Sequence, residues 1–303
     1  MIVSDLPVTE LSRRLAGSGI RLRTGPVIAL VRSPLQGVAE SIALHYSDHT
    51  LGGPEEFADF HVRVGPPRNI RRWLRPQALF DLDGTLPFKP LPGAQAFPMF
   101  EWGLNWCVSA NCHQYLIVHS AVIEKAGRAV ILPAPPGSGK STLCAGLVAR
   151  GWRLLSDELT LIEPESGNIV PLARPVSLKN ASIDVIRRFS PQAVLGPTVH
   201  DTTKGSVTHM KPPVESVRRS AEKARPAWVI LPRYEAGTAA RLKPLGKARA
   251  FMQLADNAFN YSLHGRRGFE VLAGLIENSG CYEFGYGNLE EAITVFEDLL
   301  HTG

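Results

Sequence analysis

The sequence predicts an α/β protein in two parts: an α+β region over residues 1–110, then an α/β domain over residues 111–303. Three observations carry this expectation. Short runs of alternating apolar and polar residues, separated by Gly and Pro, fill the first third. From about residue 115 the apolar runs grow denser and alternate with helical segments. Between two of those elements, L-P-A-P-P-G-S-G-K-S-T-L links a strand to a helix.

The elements follow in chain order. Thr9 to Leu15 reads as a short helix stopped by Gly17 and Gly19. R-L-R-T-G-P-V-I-A-L-V-R alternates as two strands would, and Leu35 to His45 is compatible with a helix. F-A-D-F-H-V-R-V alternates again until Gly65-Pro66-Pro67, and R-R-W-L-R-P-Q-A-L-F-D-L is a further strand candidate. Antiparallel pairing is expected among these strands. Pro87, Pro90 and Pro92 break the next stretch, and Phe97 to Asn111 reads as a buried, Trp-containing helix. In the second part, residues 115–124 form a strand, Lys125 to Gly127 a tight turn, and Arg128 to Leu132 a second strand. Ser141 to Arg150 is helical with Gly151 at its end. R-L-L-S-D-E-L-T-L-I reads as one buried strand, Ser182 to Phe189 as a helix and A-W-V-I-L-P as a strand. Residues 246–277 are mostly helical, C-Y-E-F-G-Y is a strand, and Asn288 caps a last helix over Leu289 to Leu300.

Composition narrows the function classes. With 303 residues, 44% hydrophobic and 20% charged, the chain has material for a sizeable core. The net charge of +5 comes from scattered Lys and Arg, which argues against a nucleic-acid surface and suits small anionic ligands. No apolar run approaches the roughly 18 residues of a membrane span. The start, M-I-V-S-D-L-P-V-T-E-L, lacks the features of a signal peptide. Cys107, Cys112, Cys144 and Cys281 form no C-x-x-C pair. Cys107, Cys112 and His113 could suggest a metal, but no second ligand pair follows, and free buried thiols in a reducing cytoplasm are expected.

Two motifs point to phosphate chemistry. F-D-L-D-G-T-L resembles the start of haloacid-dehalogenase-type phosphatases, with Asp81 as nucleophile and Asp83 as acid/base. A helix should follow such a strand, but Pro87, Pro90, Pro92 and Gly93 forbid one here, so Asp83-Gly84 reads as a hairpin turn. The second motif has its proper context. A-P-P-G-S-G-K-S fits the phosphate-loop pattern G-x-x-x-x-G-K-[S/T] apart from Ala134 at the first glycine. Gly137 and Gly139 permit backbone conformations that a side chain forbids. The amides around Gly137, Ser138, Gly139, Lys140, Ser141 and Thr142 can curl about a polyphosphate at a helix N-terminus. Lys140 would reach the β- and γ-phosphates, and Ser141 would offer its hydroxyl to Mg²⁺. Pro135 and Pro136 stiffen the approach. In the next strand Asp157 and Glu158 can stand across from the phosphates, one holding Mg²⁺ and the other taking a proton from an attacking hydroxyl.

Y-L-I-V-H-S-A-V-I, the loop, and R-G-W-R-L-L-S-D-E-L-T-L-I together resemble the catalytic domain of HPr kinase/phosphorylase. E-W-G-L-N-W, R-P-V-S-L-K-N, D-T-T-K-G-S-V-T-H and N-A-F-N-Y extend the likeness over almost the whole chain, toward the HPr-kinase-related kinase A group. The resemblance implies a phosphate-loop kinase fold of the HPr kinase and phosphoenolpyruvate carboxykinase type, using ATP and Mg²⁺. It makes His119 the histidine before the loop, Asp157 the catalytic base and Glu158 the second acid, where the family usually has Asp. Ser120 stands where the family usually has glycine. The family's arginine- and glycine-rich docking signature is missing. That region carries only the cations Arg174 and Lys179, so HPr is not the expected acceptor. The expected acceptor is serine of another peptide or protein. A free-serine kinase is one alternative. A nucleotide-operated chaperone or switch, with residues 1–110 as partner module, is another. The family's ring assemblies make a homo-oligomer a further expectation.

Other residues divide between roles. Lys204 in a Gly-containing loop, and likewise Arg174, can neutralise transferring phosphoryl charge or serve structure alone. His209 reads as a structural loop histidine, Asn257 and Asn260 as helix hydrogen-bonders, and Phe259 and Tyr261 as core. The five tryptophans read as packing anchors, with Trp152 seating the loop helix.

Overall fold

The computed structural model describes residues 1–135 and 137–302; Pro136, assigned above to the approach to the loop, lies outside the described residues. The first part runs α1 (Val8–Ala16), β1 (Ile20–Thr24), β2 (Val27–Arg32), α2 (Gln36–His45), β3 (Phe60–Gly65), β4 (Gln77–Leu82), β5 (Leu91–Pro92) and α3 (Ala96–Asn111). Its five strands form one sheet in chain order. β2 and β3 are parallel, which corrects the all-antiparallel expectation. The cause is α2, which carries the chain back across the sheet before β3 begins. Local chemistry sets the other boundaries. Leu11 and Leu15, one helical turn apart, bury the inner face of α1. β4 starts only at Gln77, because a 3₁₀ turn over Ile70–Arg72, a left-handed Arg75 and then Pro76 precede it. Gly103 of α3 is required by close approach, since a Cβ there would overlap the Phe80 ring of β4.

The D-L-D-G-T segment ends β4 as a tight turn. Leu82 and Thr85 exchange both backbone hydrogen bonds, Asp83 and Gly84 have φ of 50° and 85°, and Asp81 Oδ1 accepts from the Gly84 amide at 2.8 Å. Asp81 through its carboxylate and Asp83 through its left-handed backbone therefore shape this turn.

The second part runs β6 (Leu116–Lys125), β7 (Arg128–Pro133), α4 (Lys140–Ala149), β8 (Arg153–Ser156), β9 (Leu159–Ile162), β10 (Ile169–Val170), β11 (Val176–Lys179), α5 (Ala181–Phe189), β12 (Val199–Thr202), β13 (Gly205–Met210), α6 (Val214–Arg218), β14 (Arg225–Tyr234), β15 (Arg241–Pro244), α7 (Lys247–Asp256), α8 (Tyr261–Glu277), β16 (Gly280–Tyr286) and α9 (Leu289–Thr302). An eight-stranded sheet has the order β10-β9-β6-β7-β14-β16-β15, with β8 also paired to β6. β7, β14 and β16 are mutually parallel, and β6 runs against β7, β8 and β9. A separate three-stranded sheet has the order β11-β13-β12.

Strand alternation divides the large sheet between two cores. Val130 and Leu132 pack with Leu143 and Leu147 of α4 and Phe296 of α9. Ala129 and Ile131 pack with Leu254 of α7 and Leu272 of α8. A third core fills the five-stranded sheet and its helices and takes in Ile117, Leu159 and Leu161 of the large sheet. Trp152 is buried beside Leu143 and Leu147, and its indole N–H donates to Glu297 of α9 at 2.8 Å, which seats α4 against the last helix. Asn288 caps that helix by accepting from the amides of Glu290 and Glu291. The four cysteines are buried and free. No helix among the described residues is long and apolar enough to cross a membrane.

Candidate functional site

The glycine loop leaves the C-terminal end of β7 and turns into α4 at Lys140. Gly137 and Gly139 have φ of 86° and 89°, the left-handed region. The first amides of α4 are those a helix cannot satisfy internally, and they carry the positive end of its dipole. Two neighbouring strand ends hold the loop. The Tyr234 amide, at the end of β14, donates to the Ser138 carbonyl at 2.9 Å. The Tyr286 hydroxyl, at the end of β16, donates to the Gly139 carbonyl at 2.9 Å. A Cβ on residue 139 would lie 2.8 Å from Tyr234 Cβ and collide with the Tyr286 hydroxyl. Gly139→Ala is therefore expected to cost about 1–3 kcal/mol through backbone strain alone. An unchanged urea midpoint would show that the loop is not held in this way.

The acidic residues lie where the predicted strand 153–162 breaks. β8 and β9 both pair with β6, and Asp157-Glu158 bulges out between them. In a continuous strand, adjacent side chains face opposite ways. Here both turn toward β11. Asp157 Oδ2 accepts from the Ser177 amide at 3.1 Å, and Glu158 Oε1 accepts from Lys179 Nζ at 3.3 Å. Glu158 Oε2 meets His119 Nε2 at 3.1 Å, and the same nitrogen lies 3.3 Å from Lys140 Nζ. A ring nitrogen cannot donate to a carboxylate and accept from an ammonium at once, so His119 serves one of these partners at a time. Lys140 of α4, His119 of β6, Glu158 of the bulge and Lys179 of β11 thus stand in one line of neighbouring groups.

Burial and charge set the two carboxyls apart. Burial pushes the Asp157 pKa up and the Glu158 charge adds to this, against the pull of Lys140, Lys179 and the Ser177 amide. Burial alone would also raise Glu158, but the His119 hydrogen bond, Lys179 and Lys140 hold it well below the usual carboxylate range. Two adjacent acids with opposite shifts suit opposite roles.

The other candidate cations have different surroundings. Lys204, on the turn between β12 and β13, sits 5.1 Å from the Trp102 ring centroid. Its pKa is lowered by burial and then by Lys179 and Lys140, while Glu158 acts the other way, so it shares the field of the site. Arg174 is not brought to the loop. It is buried and donates to Glu101 Oε2 at 2.8 Å, to Asn105 Oδ1 at 2.8 Å and to the Tyr46 hydroxyl at 3.3 Å.

Several residues near the site differ from expectation. Asn260 bonds into the first turn of α8, where its carbonyl accepts from the Leu263 and His264 amides, and its side-chain amide also bridges the Ile117 N–H and the Tyr115 carbonyl, pinning the start of β6 beside His119. Phe259 is 53% exposed rather than core, with its ring 5.9 Å from that of His119. His209 lies on β13 rather than in a loop, and burial pushes its imidazole down to about 3. Ser177, Tyr234 and Tyr286 drew no notice in the sequence, because their contributions depend on which strand ends meet the loop.

Residues 99–174 match the family model described as SynChlorMet cassette protein ScmC. That span, less than half the chain, runs from α3 through the loop and both acids to Arg174. No curated protein matches the chain in sequence. Among solved structures, the Hpr(Ser) kinase/phosphatase from Coxiella burnetii is similar at 11% identity over 62% of this chain and 99% of that one, with a TM-score of 0.26.

The donor set fits a magnesium ion arriving with phosphates. Asp157 Oδ1 is buried and has no partner among the described residues, an arrangement that favours a proton or a cation. Ser141 lies in the first turn of α4. No group of three or more His, Cys, Asp or Glu that could hold a metal is found among the described residues. Mg²⁺ is commonly held by one or two carboxylates together with substrate phosphates.

Proposed function

We propose that the protein is an ATP-dependent kinase that phosphorylates a hydroxyl, most simply a serine of a peptide or protein other than HPr. The observation that supports this reading is the juxtaposition at the loop of a linked Lys140–His119–Glu158–Lys179 chain and a buried Asp157 with one unpaired oxygen. In the proposed step the acceptor oxygen attacks the γ-phosphorus. The bond from that phosphorus to the β–γ bridging oxygen breaks, ADP departs, and the hydroxyl proton passes to Asp157 Oδ1. Lys140 and the amides of Gly137 to Thr142 hold the polyphosphate, while Lys179 and Lys204 add positive charge where the phosphoryl group moves. Ser141, Asp157 and Glu158 are the residues that would hold Mg²⁺, which when bound supplies further charge neutralisation. His119 is placed in this scheme to exchange its Glu158 contact for one with Lys140 as charge shifts. HPr is set aside because the arginine- and glycine-rich signature is missing from A-R-P-V-S-L-K-N, and Arg174, one of the two cations there, is engaged in a buried network. Residues 1–110 are proposed as the partner or substrate module.

The test is incubation with γ-labelled ATP, Mg²⁺ and peptides from the native host. Label on serine is expected with the wild type and should fall by about 100-fold or more with Lys140→Ala. A wild type that labels nothing, or a Lys140→Ala protein that labels equally, would sink the proposal. The first outcome is what a nucleotide-operated switch would give.

A further inference from the structure

We infer that Tyr234 supplies the stacking face for the nucleobase, on the flank of the loop opposite the acids. This rests on the nucleotide reading above and goes beyond it by locating the base. Sheet order carries the argument. On one side of β7 stand β6 and β9, which bring His119, Asp157 and Glu158, so the reacting end of a polyphosphate belongs there. On the other side stand β14 and β16. A nucleotide whose terminal phosphate faces the acids extends its remaining length toward this second flank.

Tyr234 is the last residue of β14. Its amide is tied to the Ser138 carbonyl, so its backbone cannot drift from the loop. Tyr234 is 51% exposed, and its ring meets that of Tyr286 at 5.5 Å, edge to face. Tyr286 is buried and in turn holds the Gly139 carbonyl. The result is an exposed aromatic braced beside the glycine loop, a placement that core packing does not require. Flat π-faces accept any base by stacking. Phe259, the other exposed aromatic nearby, lies next to His119 on the reacting flank and is in the wrong place for a base.

Isothermal titration with Mg-ATP and with Mg-tripolyphosphate, which has no base, tests the assignment. Tyr234→Leu is expected to weaken ATP binding by about 10- to 100-fold, the range of one lost base stack, and to leave tripolyphosphate binding within about twofold. Tyr234→Phe and Tyr234→Trp, which keep an aromatic face, should bind ATP about as tightly as the wild type. The assignment is overturned if the Leu variant binds ATP normally, if it loses both probes alike, or if the Phe and Trp variants fall with it. A wild type that binds tripolyphosphate as tightly as ATP also overturns it, while leaving the phosphate cradle intact. A wild type that binds neither probe overturns the nucleotide reading itself.

Discussion

Asp157→Asn is expected to slow phosphoryl transfer by about 10²–10⁴-fold, the usual contribution of a positioned general base. Nucleotide binding should largely survive, because in the proposed reading loop amides and Lys140 hold the polyphosphate. The same variant should make the ligand-free protein more stable. Asp157 is buried with one unpaired oxygen, and its pKa is raised by burial and then by Glu158. The folded state therefore holds its proton more tightly than the unfolded chain does. Stability falls as pH rises from the ordinary carboxylate range through the raised folded value, and the penalty is complete above it. Asparagine cannot ionise, and its carbonyl can still accept from the Ser177 amide. The expected gain near neutral pH is on the order of 1–3 kcal/mol, shrinking as pH falls. Catalysis should show the opposite limb: the wild-type rate should drop on acidification at a pH above the usual carboxylate value. An Asp157→Asn protein that transfers phosphate at the wild-type rate would refute the base assignment, whatever its stability.

Arg174→Ala should unfold far more readily than the wild type, by about 3–5 kcal/mol, the usual result of stranding one member of a buried ion pair. Arg174 and Glu101 are 6% and 5% exposed at their side chains, and the Tyr46 hydroxyl donates to Glu101 at 2.7 Å. Removing the guanidinium leaves a buried carboxylate with the Tyr46 hydroxyl as its one side-chain partner among the described residues. A double replacement, Arg174→Met with Glu101→Leu, removes both charges and should recover much of the loss. Urea denaturation of the three proteins decides the matter; a single variant within about 1 kcal/mol of the wild type would mean that the network contributes little. The network also fixes the chain just before β11, the strand whose Ser177 amide and Lys179 ammonium hold the two acids. The stabilised double variant is therefore a separate probe of how firmly that strand must be placed.

These two residues mark the reach of the sequence. The loop, its helix and the adjacent acids were legible because their chemistry is local: glycines, a lysine and a hydroxyl follow one another, and apolar runs frame them. The break at Asp157-Glu158 was not legible. L-L-S-D-E-L-T-L-I is apolar on both sides, and hydrophobicity registers burial without registering a backbone bulge. Arg174 read equally well as a phosphate ligand or a structural cation, since its partners lie 73 residues away at Glu101 and 128 away at Tyr46. The bridge from Asn260 to β6 and the exposure of Phe259 were not legible for the same reason: a short segment ahead of α8 pairs with the start of β6, a contact that no local pattern encodes. The antiparallel expectation for the first sheet failed at β2–β3 because a helix of ten residues was enough to return the chain.

The tyrosine clasp on the loop has a consequence for biosynthesis. Tyr286 lies 147 positions beyond the glycine whose carbonyl it supports. A nascent chain halted after α4 already contains every motif residue from Gly137 to Thr142, yet lacks the two side supports that give the bend its shape. Ligand would then fasten only chains that extend past Tyr286, favouring them over shorter ones by mass action.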